Sequence, residues 1–150
     1  MSNIEYSVYI DICKPLISIK KIIEIIDSRS CFKELIEDQR LPCYAASIAV
    51  TMKKVTSTQM RRFYGYVKNI EQINRHLKND RQDFEYKHKL MLLLPKIAGS
   101  SERENLIELY EVIKSSIVKI KDVGDVRAFV DFFEAILDFH STLENKKEDQ

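Results

Sequence analysis

Apolar side chains in this chain recur at intervals of three and four, segment after segment, and that period constrains the fold more than any other feature. Met60, Phe63, Tyr64, Val67, Ile70, Ile73 and Leu77 form one stripe, and Leu106, Leu109, Tyr110, Ile113, Ile117 and Ile120 form a second. A third runs Val126, Phe129, Val130, Phe133, Ile136, Leu137 and His140. Such spacing lays one face of a 3.6-residue helix against a core, whereas a half-buried strand alternates residue by residue. The scarcity of turn formers agrees: 3 Gly and 3 Pro in 150 residues are too few for a sheet protein, which reverses direction every 8 to 12 residues or so. The expected class is all-α, a compact bundle of five to six helices. A chain of this length can bury one core without disulfides or a structural metal.

Helix boundaries follow from local chemistry. Ile17 to Ile26 reads as a helix, because Lys20-Lys21 interrupt any alternation. A short helix is expected around Phe32 to Asp38, with a stop at Leu41-Pro42, then a helix from Cys43 to Lys54 carrying Ala45, Ile48, Ala49 and Met52 on one stripe. The sharpest start is Thr56-Ser57-Thr58-Gln59, where a Thr N-cap and a Gln at N3 can exchange hydrogen bonds with each other's backbone N–H groups. From there a helix is predicted to about Asn79. The next covers Arg81 to Leu94 and is expected to end at Pro95, since the residue before proline is pushed out of the α region. A second capping box, Ser101 to Glu104, is predicted to open the Leu106 stripe, and a break near Gly124 to precede the last helix.

Charge and motifs narrow the function. The totals of 24 Lys+Arg and 23 Asp+Glu nearly cancel, which excludes a histone-like polycation, yet residues 45–100 hold 11 bases against 4 acids while residues 101–150 hold 7 against 12. A basic segment therefore faces acidic ones, a statement about partners. The longest uncharged run, Leu41 to Met52, is twelve residues, and a bilayer span needs roughly twenty. No signal peptide is visible, so the cytoplasm is the default. Cys13, Cys31 and Cys43 show no C-x-x-C pair and no His at ligand spacing, and read as reduced, partly buried thiols. There is no phosphate loop, no G-x-S-x-G and no H-E-x-x-H; His76, His88 and His140 fall on separate predicted helices. The residues point away from an enzyme, and no cofactor or metal is called for. His140, on an apolar stripe, reads as a satisfied core or interface residue.

Arg61, Lys68 and Arg75 stand seven apart on the helix opened by Thr56. Each step of seven drifts by about 20° and advances about 10.5 Å, so the three form an axial row that could follow a phosphate backbone, where neutralised phosphates release counterions. Lys53 and Lys54 precede the row, and Lys96 and Arg103 flank the Gly99 loop. A solvated charged face explains the same pattern without a ligand. With Phe63 and Tyr64 on the apolar stripe, the composition suggests a reader of backbone rather than of bases.

Three segments together resemble the small helical subunit of the type III-A, or Csm, CRISPR interference complex. They are Thr56-Ser57-Thr58-Gln59-Met60-Arg61-Arg62-Phe63-Tyr64, then Leu92-Leu93-Leu94-Pro95-Lys96-Ile97-Ala98 with Arg103, then Phe129 to His140 with its aromatic, Glu134-Ala135 and Phe139-His140 pattern. Order and spacing agree over about residues 44–143. Gly99-Ser100-Ser101-Glu102 lacks the family's aromatic after the Pro-Lys motif, and Phe139 stands where the family has Tyr. The resemblance implies a non-catalytic RNA-binding subunit of antiviral defence, present in several copies stacked along a filament of other Csm subunits, contacting guide RNA and target RNA through phosphate and sugar. Nuclease and cyclic-oligoadenylate chemistry would belong to other subunits, and a free homodimer is plausible. Residue by residue it carries over Arg61, Arg62, Lys96 and Arg103; Lys53, Lys54, Lys68 and Arg75 come from the charge row alone. Residues 1–42 would be an N-terminal helical extension, and residues 43–150 the helical-bundle RNA-binding domain, the two packed as one domain. A protein-only helical adaptor, or a helical enzyme without a recognised motif, stays open on the residues alone.

Overall fold

A computed structural model of the chain describes residues 13, 15–75 and 88–148, the side chains of 73–75 and 144–148 apart. Seven α-helices follow in order: α1 Ile19–Asp27, α2 Lys33–Ile36, α3 Leu41–Thr51, α4 Ser57–Arg75, α5 Leu93–Ala98, α6 Ile107–Val118 and α7 Val123–Glu148. Among the described residues there is no strand. Two of the seven, α2 and α5, are short, of 4 and 6 residues, and residues 88–91 are helical as well. Stripe residues 73 and 77, the helix end near Asn79, residues 81–87 of the next predicted helix, and His76 lie outside the described residues or side chains.

The 26-residue α7 is the axis of the bundle. Helices α2, α3 and α4 all pack along it, while α1 packs on α6 and α5 bridges α4 and α6. Its aromatic stripe explains that position. Phe129, Phe132 and Phe133 are each 1% exposed, and Phe32, just ahead of α2, meets Phe129 edge-on at 5.7 Å between ring centroids and Phe132 at 5.9 Å. Offset and edge-on contacts of this kind add to the area term because positive ring edges meet negative faces. Helix α3 is buried on nearly every side, from Tyr44 to Ala49, and its small residues Ala45, Ala46, Ser47 and Ala49 let neighbouring backbones approach closely.

Several boundaries differ from expectation, each for a local reason. Leu41-Pro42 opens α3 instead of stopping the helix before it, since proline in a first turn lacks only an N–H that has no intrahelical partner there. Pro95 likewise sits in the first turn of α5; the preceding helical residues 88–91 end at a turn on Leu92, three residues earlier than the proline suggests. The second capping box does not form. Arg103–Asn105 is a 3₁₀ turn, and α6 begins at Ile107. Gly124 is no break but part of the first turn of α7, whose Asp122 accepts the Asp125 N–H at 2.9 Å.

Residues ahead of α3 join the same core through Ile22, Ile26, Phe32 and Leu35. A buried carboxylate holds this region to α7. Asp125, with no solvent exposure, accepts the Lys33 N–H at 2.8 Å through Oδ1 and the Lys121 N–H at 2.8 Å through Oδ2. One side chain thus satisfies an orphan donor at the start of α2 and another before α7. Beside it, Lys33 Nζ donates to Asp122 Oδ2 at 2.7 Å. That hydrogen bond holds the Asp122 carboxyl below the usual carboxylate range, with the N–H groups of Asp125 and Gly124 adding to it.

Asp125→Asn presents an NH₂ group to one of two backbone N–H donors, and is expected to lower unfolding free energy in urea by about 2–3 kcal/mol. The half-exposed Asp122 behaves differently. Because its folded pKa is depressed, its contribution is whole above about pH 4 and fades as the pH falls through the lower folded value. Asp122→Asn should remove that part of the acid dependence of stability, read by denaturation at a series of pH values.

Candidate functional site

Helix α4 carries most of the candidate cations, and its start is fixed from two sides. Thr56 Oγ1 accepts the Gln59 N–H at 3.3 Å, as the capping pattern requires. The reciprocal bond comes from elsewhere: Glu102, 46 residues on, takes the Thr56 N–H at 3.0 Å and the Thr56 hydroxyl proton at 2.9 Å. This carboxylate clamps the 100–106 segment to the N-terminus of α4, where negative charge also favours the helix dipole. Glu102, a residue inside the expected second capping box, therefore completes the first.

The clamp creates a groove of about 550 Å³ lined by Gln59, Arg62, Phe63 and Tyr66 of α4 and by Lys96, Gly99, Ser100 and Ser101 across from them. Lys96 Nζ stands 4.8 Å from the centre of the Tyr66 ring, a cation–π contact that holds the ammonium at the groove wall. The ring is itself fixed, because the Tyr66 hydroxyl donates to the Lys89 carbonyl at 2.6 Å. Burial pushes the Tyr66 phenol above its ordinary pKa. Arg62 is exposed at the opposite lip. Two cations from separate segments, with small polar residues and no carboxylate in the lining, make this a concavity suited to an anion.

One residue back, the electrostatics change sign, since successive helical positions are about 100° apart. Arg61 lines a second groove of about 220 Å³ with Tyr64, Glu134, Asp138 and His140. Lys68 is paired with Glu71 at 3.0 Å, which raises its pKa, and the Glu134 carboxylate lies near enough to raise it further. Tyr64 donates its hydroxyl to Glu134 at 3.0 Å. Burial, then Glu134, pushes Asp131 and Asp138 above the ordinary carboxylate range. The seven-residue row thus borders the acidic face of α7; the side chain of Arg75 lies outside those described. Arg103 is exposed on the far side of the 99–103 loop, its Nη1 donating to the Ser100 carbonyl at 3.3 Å, and it lines an apolar cavity of about 380 Å³ with Ile97, Leu106, Ile107 and Tyr110.

Lys53 and Lys54 are exposed in the turn between α3 and α4. His140 holds that turn from beneath: its Nε2 lies 3.0 Å from the Met52 carbonyl and 2.9 Å from that of Val55. Both partners only accept, so Nε2 carries the hydrogen and shares it between them. With the imidazole 1% exposed, this is the satisfied core histidine expected of an apolar stripe. Tyr66 was not among the residues the sequence singled out, and Gln59 was read there only as a capping and motif residue. The available signal was the four-residue step from Arg62 to Tyr66, which puts both on one side of α4 beside the apolar stripe.

Among the described residues no group of three or more His, Cys, Asp or Glu could hold a metal, and no helix is long and apolar enough to cross a membrane. The site is an open groove on a helical bundle. A family model, Csm2 Type III-A, matches residues 36–146. The chain belongs to that family and is a small subunit of a type III-A CRISPR complex, partnering other Csm subunits. The match starts earlier than the motifs alone suggest and takes in the region of α3. No curated protein and no solved structure matches the chain.

Replacing His140 with Ala removes the imidazole donor from the Met52 and Val55 carbonyls, leaving Met52 the Val55 N–H alone, and opens a cavity. A loss of about 2–4 kcal/mol in unfolding free energy is expected. Faster amide exchange should appear at Val55, whose N–H closes the turn on the Met52 carbonyl at 2.9 Å. His140→Gln, which retains a donor, should recover part of both.

Proposed function

We propose that this subunit contacts the phosphate backbone of guide or target RNA as a non-catalytic part of the type III-A complex. Its principal phosphate seat is the groove between Arg62 and Lys96. The observation that carries this reading is the convergence of those two cations, from α4 and α5, on one open concavity without a carboxylate among its lining residues. A phosphate is a tetrahedral anion with several acceptor oxygens. An Arg fork on one side and a Lys ammonium on the other would contact it from two directions, with the Ser100 and Ser101 region between. Backbone contact of this sort follows duplex or strand shape and leaves sequence discrimination to base pairing.

The remaining candidates divide by their surroundings. Lys53 and Lys54 extend the basic surface from the turn ahead of α4, and Arg103 stands beyond the Gly99 loop. Arg61 and Lys68, bordering carboxylates, serve as secondary contacts or as partners for the acidic face of α7. Copies stacking along a filament would supply repeated grooves, so that weak single contacts add through effective concentration. The cytoplasm is the compartment this reading implies. The exposed Ile107, at 57%, beside the cavity lined by Ile97, Leu106 and Tyr110, favours a protein neighbour on that side. It keeps a second reading in play, an adaptor that touches protein alone.

The assembled complex separates the two. Log affinity for RNA should fall linearly with log salt, by about 0.7 per phosphate contact on a single strand. Charge reversal at Arg62 and Lys96, in every copy, should flatten that slope by about 1–2, while Lys114→Glu on the distant face of α6 leaves it unchanged. An unaltered slope in the Arg62→Glu, Lys96→Glu complex, with assembly intact, supports the adaptor.

A further inference from the structure

The segment that leads into α1 lies along one face of α3, and two contacts define how. Cys13 Sγ and Cys43 Sγ are 2.8 Å apart. Four residues further along each segment, the Ile17 N–H donates to Ser47 Oγ at 3.0 Å. The Ser47 hydroxyl in turn donates to the Cys43 carbonyl at 2.7 Å, one helical turn back. Two residues four apart on the first segment thus meet two residues four apart on α3, so the approach of the sulfurs is part of a register. Ser47 is 4% exposed and Cys13 6%, whereas Cys43 keeps partial access to solvent. The third thiol, Cys31, takes part in a different neighbourhood, donating to Glu34 Oε1 at 3.8 Å.

We infer that Cys13 and Cys43 form a reversible disulfide when the protein meets a small-molecule disulfide oxidant such as oxidised glutathione, and that this bond tethers the segment ahead of α1 to α3. The accessible thiol reacts first. Cys43, as thiolate, attacks one sulfur of the oxidant, forming a mixed disulfide and expelling one small thiolate, which takes up a proton. Cys13 then loses its proton to solvent and attacks Cys43 Sγ; the Cys43–glutathione bond breaks and the second small thiol leaves. Two protein thiols are oxidised by two electrons, and one disulfide is reduced to two thiols. Burial, then the hydrogen bond and charge of Cys43, pushes the Cys13 thiol up to about 12, so the second step is slow near neutrality and quickens with pH. In a reducing compartment both remain thiols. The bond closes a loop that contains α1 and α2 and constrains the unfolded chain accordingly.

The test uses the full chain with oxidised glutathione, followed by intact mass and non-reducing peptide mapping. Expected in the wild type and in Cys31→Ser is a peptide linking Cys13 to Cys43, a chain mass lower by about 2 Da, and a melting temperature higher by about 5–10 °C. Cys13→Ser should stop at a glutathione adduct on Cys43, and Cys43→Ser should yield no linked peptide. Wild-type protein that accumulates the Cys43 adduct without the link, or that links Cys31 instead, overturns the proposal. Serine is close in size to cysteine in all three variants, and folding of each is checked by circular dichroism before oxidation.

Discussion

The long C-terminal helix must bury aromatic side chains on more than one flank, and α2, α3 and α4 are placed by how they answer that demand. Phe129, Phe132 and Phe133 need cover that no single neighbour supplies. Helices α2, α3 and α4 therefore gather around α7, and Phe32 reaches it from ahead of α2. Where the chain turns from α3 into α4 against this axis, the Met52 carbonyl, which also accepts the Val55 N–H, and the Val55 carbonyl both face α7. The imidazole of His140 meets both. Burial of apolar surface sets the approximate positions, and this one polar contact sets how the turn ahead of α4 lies on the bundle. Since unsatisfied buried carbonyls are costly and directional, a histidine there specifies a single arrangement where another apolar residue would allow several.

Two further carboxylates act in the same manner at a distance. Asp125 ties α2 to the start of α7, and Glu102 ties the 3₁₀ turn before α6 to the cap of α4. Each satisfies orphan N–H groups at helix starts that are remote in sequence. A helix as short as α2 gains little from propagation, and the Asp125 bond to the Lys33 N–H supports its first turn. The Glu102 bonds place Lys96 opposite Arg62, since the segment that Glu102 anchors is the wall of the groove.

The division of α4 into two electrostatic flanks gives one helix two differently charged surfaces. One flank presents Arg62 toward Lys96 and Tyr66. The flank one position away presents Arg61 and Lys68 toward Glu71, Glu134 and Asp138. Helical geometry alone separates adjacent residues by about 100°, so neighbouring arginines can belong to different surfaces. A small subunit that partners other Csm proteins has use for such a boundary. The acidic flank can meet basic protein surfaces that the basic flank would repel.

Much of this was legible in the residues. The three-four stripes determined that the chain is helical and which residues make the core, because helix period and burial are local consequences of side-chain order. Thr56 marked the start of α4, and the motifs around Arg61-Arg62, Pro95-Lys96 and Phe129 to His140 pointed to the family. The prolines misled at Leu41-Pro42 and Pro95: a proline disrupts a helix interior but fits a first turn, and which of these applies depends on what precedes it in space. Only the tertiary structure decided that Glu102 caps Thr56, that His140 serves the α3–α4 turn, and that Arg62 rather than Arg61 shares a groove with Lys96. Those pairings join residues 46 to 88 positions apart or facing across a groove. The directions in which side chains meet are set by how helices cross, and periodicity along one helix carries no information about that.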